Sequence, residues 1–277
     1  MRNQTSPLIL SFGLADPVGA VGTHADVAVF SAFGCHGLSV TTGLLIADTA
    51  RIDEVRPFDT EWMIDQARVL LEDMPVSVFK VGPMASADQV QAIAEIVSDY
   101  PDIPLILDPF LSALPEGGVA GESMLEAVRG ALVPQATILV LSHLELSRMA
   151  ELWRDPGVDD MATDAEELIN MGCEFVLVNC PAGHGHGDKQ TMSNTLFDVD
   201  GEIETFSWQY LPRQYIGAGS TMSAAIAALM AHGMEAPDAA ADAQDYLARA
   251  LATAQRYGMG RYVPNRLHRI FTQESSQ

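Results

Sequence analysis

The chain has few cysteines and few basic residues. Of its 277 residues only three are cysteines, Cys35, Cys173 and Cys180, and their spacing fits neither a disulfide framework nor a zinc site. We therefore expect reduced thiols. Lys and Arg number 15 against 37 Asp and Glu, which gives a formal net charge of −22. Such a balance disfavours a groove that neutralises the phosphates of a nucleic acid.

The sequence also lacks any long apolar run. No stretch reaches eighteen apolar residues, and the first residues show neither the basic start nor the apolar core of a signal peptide. We expect a soluble, cytoplasmic protein that binds no membrane. With 48% hydrophobic residues, one α/β domain over residues 1–277 is the simplest organisation, with loose ends at 1–7 and 272–277.

Short apolar runs alternate with longer helical patterns along most of the chain. This alternation predicts an α/β fold, with a mostly parallel sheet covered by helices on both faces. The runs at 105–107, 138–141 and 175–178 are apolar throughout, as in central strands that are buried on both faces. A polar stretch at 195–208 resembles a hairpin. The other predicted strands are 8–12, 38–46 and 76–81, and the predicted helices are 25–33, 60–71, 87–99, 124–132, 162–171 and 222–230.

Polar residues follow the three central runs. Asp108, Ser142 and Asn179 stand where these strands end. Open α/β sheets bind ligands beyond the carboxyl ends of their strands, so these residues indicate the position of a site.

A glycine-rich loop precedes the last predicted helix. In Gly217-Ala218-Gly219-Ser220, the backbone N–H groups can point at an anion while the helix dipole favours negative charge there. A single Gly-x-Gly has low specificity, and a tight turn that packs the helix is the alternative.

Two sets of residues together carry a family resemblance. Residues 13–26, from Gly13 to Asp26, resemble the signature Gly-x-Asp-Pro-Ser-Gly-Gly-Ala-Gly-x-x-Ala-Asp of hydroxymethylpyrimidine/phosphomethylpyrimidine kinases, a ribokinase-like family. Further matches follow in the same order along the chain, so the resemblance covers about residues 8–271. They are Phe30–Gly34, Asp48-Thr49, Lys80-Val81-Gly82, Asp108-Pro109, Pro134-Gln135, Gly183-His184 and Gly217–Thr221.

The resemblance implies a ribokinase-like kinase with ATP and Mg²⁺ as cofactors. Such an enzyme transfers the γ-phosphoryl group of ATP to hydroxymethylpyrimidine or to its phosphate, in thiamine synthesis. Phosphoryl transfer needs chiefly positioning and charge stabilisation, which a nest of N–H groups supplies. Members of the family are commonly dimeric, so the resemblance is compatible with a homodimer.

The resemblance also assigns roles to residues. Gly217, Ala218, Gly219 and Ser220 match the anion hole, and Ser220 stands where the family usually has the cysteine that is the candidate base. A serine hydroxyl is a poor base near neutral pH, and a role as helix N-cap is the alternative. The residues that match the substrate side are Gly13, Asp26, Ala47, Pro83 and Phe110. For Asp26, a carboxylate that simply favours the start of a helix is the alternative role.

Several of the matched positions depart from the family. Ala47 replaces a glutamine that reads the pyrimidine, and Pro83 and Phe110 replace a methionine and a valine. On the nucleotide side the matching residues are Asp108, Ser142, Glu145 and Asn179, with Glu145 and Asp108 as metal ligands. Ser142 replaces an asparagine, and the segment 178–184 lacks a lysine that is often found there.

These departures keep two further hypotheses open. One is a non-catalytic binding or regulatory protein on the same scaffold, because fold alone does not establish activity. The other is a kinase of a B6-type pyridine alcohol, which would need a different polar partner near Ala47.

Overall fold

The computed structural model describes residues 5–111, 121–151, 160–180, 191–209 and 211–271, and these residues form a nine-stranded sheet. The order of the strands across the sheet is β3-β2-β1-β4-β5-β6-β7-β8-β9. The strands are β1 (Leu8–Ala15), β2 (His36–Ala47), β3 (Ile52–Pro57), β4 (Val78–Val81), β5 (Leu105–Leu107), β6 (Ile138–Ser142), β7 (Phe175–Cys180), β8 (Thr191–Asp198) and β9 (Gly201–Gln209).

The centre of the sheet is parallel and its edges are antiparallel. The strands β2, β1, β4, β5, β6 and β7 run parallel, whereas β3 pairs antiparallel with β2 and the β8–β9 hairpin continues antiparallel from β7. The prediction of a mostly parallel sheet is confirmed, as is the hairpin. The three predicted central runs lie in the adjacent strands β5, β6 and β7.

Helices cover both faces of the sheet, as predicted. On one face α7 packs between α1 and α8 and crosses β1, β4, β5 and β6; on the other lie α2 to α6. The helices are α1 (Gly22–Ala32), α2 (Thr60–Asp73), α3 (Ala87–Ser98), α4 (Glu122–Ala127), α5 (His143–Ala150), α6 (Met161–Asn170), α7 (Ala218–Ala231), α8 (Ala236–Ala252) and α9 (His268–Phe271). Among the described residues, none of these helices is long and apolar enough to span a membrane.

Local chemistry accounts for where several helices begin. The Asp59 carboxylate accepts hydrogen bonds from the N–H groups of Glu61 and Trp62 at the start of α2, and the Ser86 hydroxyl accepts one from Gln89 at the start of α3. These side chains satisfy N–H groups that have no partner within the helix.

The structure refines one predicted helix, and one of the predicted loose ends lies outside the described residues. The helix predicted at 124–132 is α4 followed by a π-helical turn over Val128–Leu132. Cys35 and Cys173 are buried free thiols, as expected. The predicted tail 272–277 lies outside the described residues, and Pro7 of the predicted loose start accepts a hydrogen bond from His36 N at 2.9 Å.

Candidate active site

The carboxyl ends of the parallel strands bring the predicted residues to one edge of the sheet. Backbone hydrogen bonds tie the segments together after the strands end. Gly82 N donates to Phe12 O at 2.7 Å, Leu14 N donates to Pro83 O at 3.0 Å, and Asp108 N donates to Val81 O at 2.8 Å. The ends of β1, β4 and β5 are therefore fixed relative to one another.

The glycine-rich loop forms the start of α7. Gly217 is the N-cap residue, with a left-handed backbone at φ 86°, and Ala218, Gly219 and Ser220 are the first three residues of the helix. A Cβ atom at Gly217 would lie 1.9 Å from Ala20 O, so only glycine fits. The first turn of a helix presents N–H groups without intrahelical acceptors, which is the geometry that an anion nest requires.

Ser220 is fully buried on this turn. Because Gly217 is the N-cap, the interpretation of Ser220 as the capping residue is wrong, and Ser220 lies three residues further on. Its Oγ has no hydrogen-bond partner among the described residues. In this part of the chain, no carboxylate or imidazole is in place to activate the hydroxyl.

A buried group of charges lies beside the nest. Lys80 Nζ lies 3.1 Å from an oxygen of Asp26 and 3.7 Å from Asp108 Oδ2. Ser11 donates to Asp26 at 2.6 Å, and Ser223 of α7 donates to Asp108 at 2.8 Å. Burial raises the pKa of Asp26, while Lys80 and the Ser11 hydrogen bond act in the opposite direction. Lys80 thus joins a predicted substrate residue, Asp26, to a predicted nucleotide residue, Asp108. The sequence matched Lys80 to a motif but gave no role for it.

A cavity of about 330 Å³ opens over the nest. Six predicted residues line it, namely Phe110, Ser142, Asn179, Gly217, Ala218 and Gly219. The other lining residues are Met192, Asn194, Trp208, Tyr215, Ile216, Leu247, Leu251 and Arg261. Mixed apolar walls with a few polar groups are typical of a small-molecule site.

Two polar atoms of the cavity lining are poised for a ligand. Asn179 Oδ1 and Trp208 Nε1 are buried atoms that form no hydrogen bond within the described part of the chain. Buried polar atoms are nearly always paired in folded proteins, so one acceptor and one donor are left for a bound molecule. Asn179 was predicted from its place after β7, whereas Trp208, on the edge strand β9, belongs to no motif.

Phe110 has an unusual backbone. Its φ is 49°, in the left-handed region that a bulky residue rarely adopts. Strain of this kind persists where the surrounding structure enforces it, and it often marks a ligand site. Phe110 lies two residues after Asp108, beyond the end of β5, and it lines the cavity over the nest. Its predicted role on the substrate side stays a prediction.

Ser142 and Glu145 engage each other. Glu145 Oε2 accepts a hydrogen bond from Ser142 N at 2.7 Å and Ser142 Oγ accepts one from Glu145 N at 3.2 Å, which together form a capping box at the start of α5. Ser142 Oγ also donates to Glu145 Oε2 at 2.6 Å. Glu145 is therefore a structural carboxylate here as well as a candidate metal ligand. The described residues contain no cluster of three or more metal-binding side chains. Magnesium commonly takes one or two carboxylates plus substrate phosphates. Asp108 pairs with Lys80 and Ser223, and Glu145 accepts from Ser142, so the role of these two carboxylates as magnesium ligands stays a prediction.

The remaining predicted residues lie apart from the cavity lining. Ala47 is the last, half-buried residue of β2, and Pro83 follows β4. Gly13 is on β1, where an added Cβ would lie 3.6 Å from Thr23 Cγ2. The family signature places its glycine two residues before the aspartate, and Leu14 stands at that position. Together with Asp26, these residues would form a separate acceptor side, and that role stays a prediction.

Arg266 was missed by the sequence analysis. It is buried, and its guanidinium donates to Thr221 Oγ1 at 3.0 Å, to Gly19 O at 2.6 Å and to Ala20 O at 2.5 Å. It therefore joins the N-terminal loop to the start of α7. The segment around Arg266 matches no motif, so no sequence signal could have indicated this contact.

The doubly covered, mainly parallel sheet and the anion nest at α7 define a ribokinase-like small-molecule kinase. The sequence model for phosphomethylpyrimidine kinase matches residues 16–265, and the chain belongs to that family. Hydroxymethylpyrimidine/phosphomethylpyrimidine kinase of Escherichia coli (strain K12) is 28% identical over 251 residues, covering 91% of this chain and 93% of the relative.

Solved structures agree with this assignment. Pyridoxal kinase of Bacillus subtilis, solved as an ADP complex, aligns with a TM-score of 0.85 at 21% identity, over 96% of this chain and all of that one. That likeness shows the fold. Phosphomethylpyrimidine kinase of Clostridium difficile 630 aligns with a TM-score of 0.71 at 25% identity, covering 89% of this chain and 100% of that chain.

Proposed function

We propose that this protein transfers the γ-phosphoryl group of ATP to hydroxymethylpyrimidine or to its phosphate, in thiamine synthesis. The observation that carries the proposal is the nest at Gly217–Ser220, which faces a cavity large enough for part of a nucleotide. The E. coli relative bears the name of this activity and matches nearly the whole chain.

In the proposed mechanism the chain mainly positions its ligands and stabilises their charge. The N–H groups of the first turn of α7 hold phosphate oxygens, and Asn179 and Trp208 offer one acceptor and one donor to the nucleotide. Asp108 and Glu145 would hold Mg²⁺, which would supply positive charge to offset the charge of the phosphate groups. Lys80 holds Asp26 and Asp108 by its charge, so that the residues on the acceptor side keep a fixed position relative to those on the nucleotide side.

Ser220 stands at the position of the family's candidate base. The acceptor oxygen bonds to the γ-phosphorus as the bond between that phosphorus and the bridging oxygen of ATP breaks and ADP leaves, and the proton of the acceptor hydroxyl passes to an oxygen of the transferred phosphoryl group or to water. A loose transition state needs little help from a base, so a serine at this position is compatible with turnover. A thiol at this position would ionise far more readily than the hydroxyl.

A second candidate function is nucleotide binding without catalysis. It is favoured by Ser220, whose Oγ has no activating partner among the described residues. The fold and the nest would be the same, and only turnover would differ.

The test is ADP release on mixing the protein with ATP-Mg²⁺ and hydroxymethylpyrimidine, beside the variant Ser220→Cys. We expect wild-type turnover that requires the pyrimidine, and faster turnover by the variant. Turnover by the variant alone would mean a kinase weakened at one position. ATP binding without turnover by either protein would favour the non-catalytic function, and absence of ATP binding would refute both functions.

A further inference from the structure

The guanidinium of Arg266 is held behind the phosphate nest by neutral oxygens. Its acceptors are the carbonyls of Gly19 and Ala20 and the hydroxyl of Thr221. Buried arginines ordinarily pair with carboxylates, because a desolvated charge is costly unless an opposite charge compensates it. The hydrogen bonds of Arg266 fix its position but bring no negative charge to it.

The two carboxylates whose charges act most strongly on Arg266, Asp26 and Asp16, form their hydrogen bonds and ion pairs with other groups. Asp26 accepts from Ser11 and pairs with Lys80. Asp16 accepts from the N–H groups of Val18, Ala20 and Val21 at 2.8 to 3.0 Å, which shapes the N-terminal loop. Both act on Arg266 only as charges at longer range.

The same guanidinium lies beside the N-cap of α7. A Cβ atom at Gly217 would lie 2.9 Å from Arg266 Nη2. Thr221 Oγ1 accepts from Arg266 Nε and donates to Gly217 O at 2.7 Å. A continuous path of two hydrogen bonds therefore runs from the cation to the carbonyl of the nest's first residue.

Arg266 carries its charge under ordinary conditions. Burial lowers its pKa to about 10, with Asp26 as the strongest of the groups that oppose the shift. At neutral pH the guanidinium is thus always charged. The segment 178–184 lacks the lysine that many family members have there, so this segment brings no lysine charge to the phosphates. Asn179 on β7 is uncharged.

We propose that Arg266 is the fixed cation of the phosphate nest, stabilising bound polyphosphate by its charge from behind the first turn of α7. It is a positioning residue, because it lies behind the nest and its charge acts at a distance. Three of its five N–H groups hold it there, by donating to Gly19 O, Ala20 O and Thr221 Oγ1. The inference rests on the proposed function to the extent that the ligand of the nest is the phosphate chain of ATP.

The experiment compares ligands that share adenosine and differ in the number of phosphate groups, and therefore in charge. Dissociation constants of adenosine, ADP-Mg²⁺ and ATP-Mg²⁺ are measured by calorimetry for wild type and Arg266→Gln. We expect ATP to bind roughly tenfold more weakly to the variant, ADP to lose less, and adenosine to bind unchanged, because a Coulomb interaction scales with ligand charge. Equal losses for all three ligands, or none, would overturn the proposal.

Matched variants separate charge from shape. Arg256→Gln makes the same change in net charge at an exposed position and should leave all three constants unchanged. Arg266→Lys keeps the positive charge but loses the planar guanidinium with its several N–H donors. Thr221→Val removes the hydroxyl that accepts from Arg266 Nε and leaves the guanidinium in place. Both should retain most of the preference for ATP over adenosine. Loss of that preference in either would show that geometry alone matters, so the test remains decisive even if Arg266→Gln fails to fold.

The outcome for Arg266 is separable from the outcome for the proposed function. Wild-type ATP binding that depends on Arg266, without transfer to hydroxymethylpyrimidine, would refute the proposed acceptor and leave the cation in place. Transfer by wild type, together with an undiminished preference of Arg266→Gln for ATP over adenosine, would refute only the proposed role of Arg266.

Discussion

Gly217 and Gly219 stand two residues apart at the start of α7, but their surroundings differ. Gly217 has a left-handed backbone, and an added Cβ would lie 1.9 Å from Ala20 O and 2.9 Å from Arg266 Nη2. Gly219 has a helical backbone, and its Cβ would meet no atom within 4 Å. Packing therefore demands a glycine at 217 only, whereas the open space at 219 lies on the lining of the cavity.

This difference predicts opposite results for two alanine substitutions. Gly217→Ala should lower the free energy of unfolding by at least about 2 kcal/mol, because the Cβ clashes with backbone and the positive φ becomes strained. Gly219→Ala should leave stability unchanged or raise it by up to about 1 kcal/mol, since alanine favours a helix. Urea denaturation of both variants measures these effects.

Gly219→Ala serves as the control and also reports on the ligand. Its methyl group would occupy space that a bound phosphate approaches, so the KM for ATP should rise although the fold is intact. If Gly219→Ala destabilised the protein as much as Gly217→Ala, the assignment of 217 as the constrained position would be contradicted.

At the residue level, motifs in the sequence could indicate Asp26, Asp108, Asn179 and the glycine loop. Asp108 and Asn179 lie at the strand ends, as the rule for open α/β sheets predicts. The structure joins Asp26 to Asp108 through Lys80, and it places Asn179 in the cavity lining with the glycine loop. Arg266 could not be found in this way. Its role comes from a contact between the end of the chain and the loop at Gly19 and Ala20, and such contacts leave no local pattern.

At the scale of elements, Lys80 connects β4 to α1 and to the end of β5. Its ammonium group is completely buried between Asp26 of α1 and Asp108 after β5. Removal of one member of a buried ion pair leaves an uncompensated charge, which costs more than the pair contributes.

Lys80→Met should therefore lower the free energy of unfolding by about 3–5 kcal/mol. The loss arises because Asp26 and Asp108 would face each other without a cation. Urea denaturation measures the loss, and the double variant Asp26→Asn/Lys80→Met should recover part of it, since one of the two carboxylates is then neutral. Strictly additive losses in the two single variants and the double variant would contradict the coupling.

The predicted elements match the structure best where the apolar runs are uninterrupted. The central strands β5, β6 and β7 were predicted because they are apolar throughout. Four elements were missed, and the short helix α9 is one of them. The edge strand β3, Ile-Asp-Glu-Val-Arg-Pro, has few apolar residues, because edge strands are only partly buried. The helix α5 starts with Ser142 and Glu145, which we interpreted as a nucleotide motif although Ser-x-x-Glu is also a capping box. The alanine-rich α8 was missed although it packs on α7.

At the scale of the whole molecule, the sequence was sufficient to predict the fold class and the edge of the sheet that carries the site. It was not sufficient to predict the cavity wall. Met192, Trp208 and Leu247 come from the hairpin and from α8, elements that reach the nest only after the chain has folded across the sheet. Apolar and aromatic residues of these types are common throughout the interior of a protein, so only the tertiary structure shows that these three line a cavity.

The central claim is that this molecule phosphorylates a hydroxymethylpyrimidine. The most direct test is ³¹P nuclear magnetic resonance of the wild-type protein mixed with ATP-Mg²⁺ and hydroxymethylpyrimidine, with pyridoxal as a second acceptor in a parallel sample. We predict a new phosphomonoester signal that grows as ATP is consumed, in the sample with hydroxymethylpyrimidine. A phosphomonoester with pyridoxal alone, or no phosphorylated product while ATP remains bound and intact, would contradict the claim.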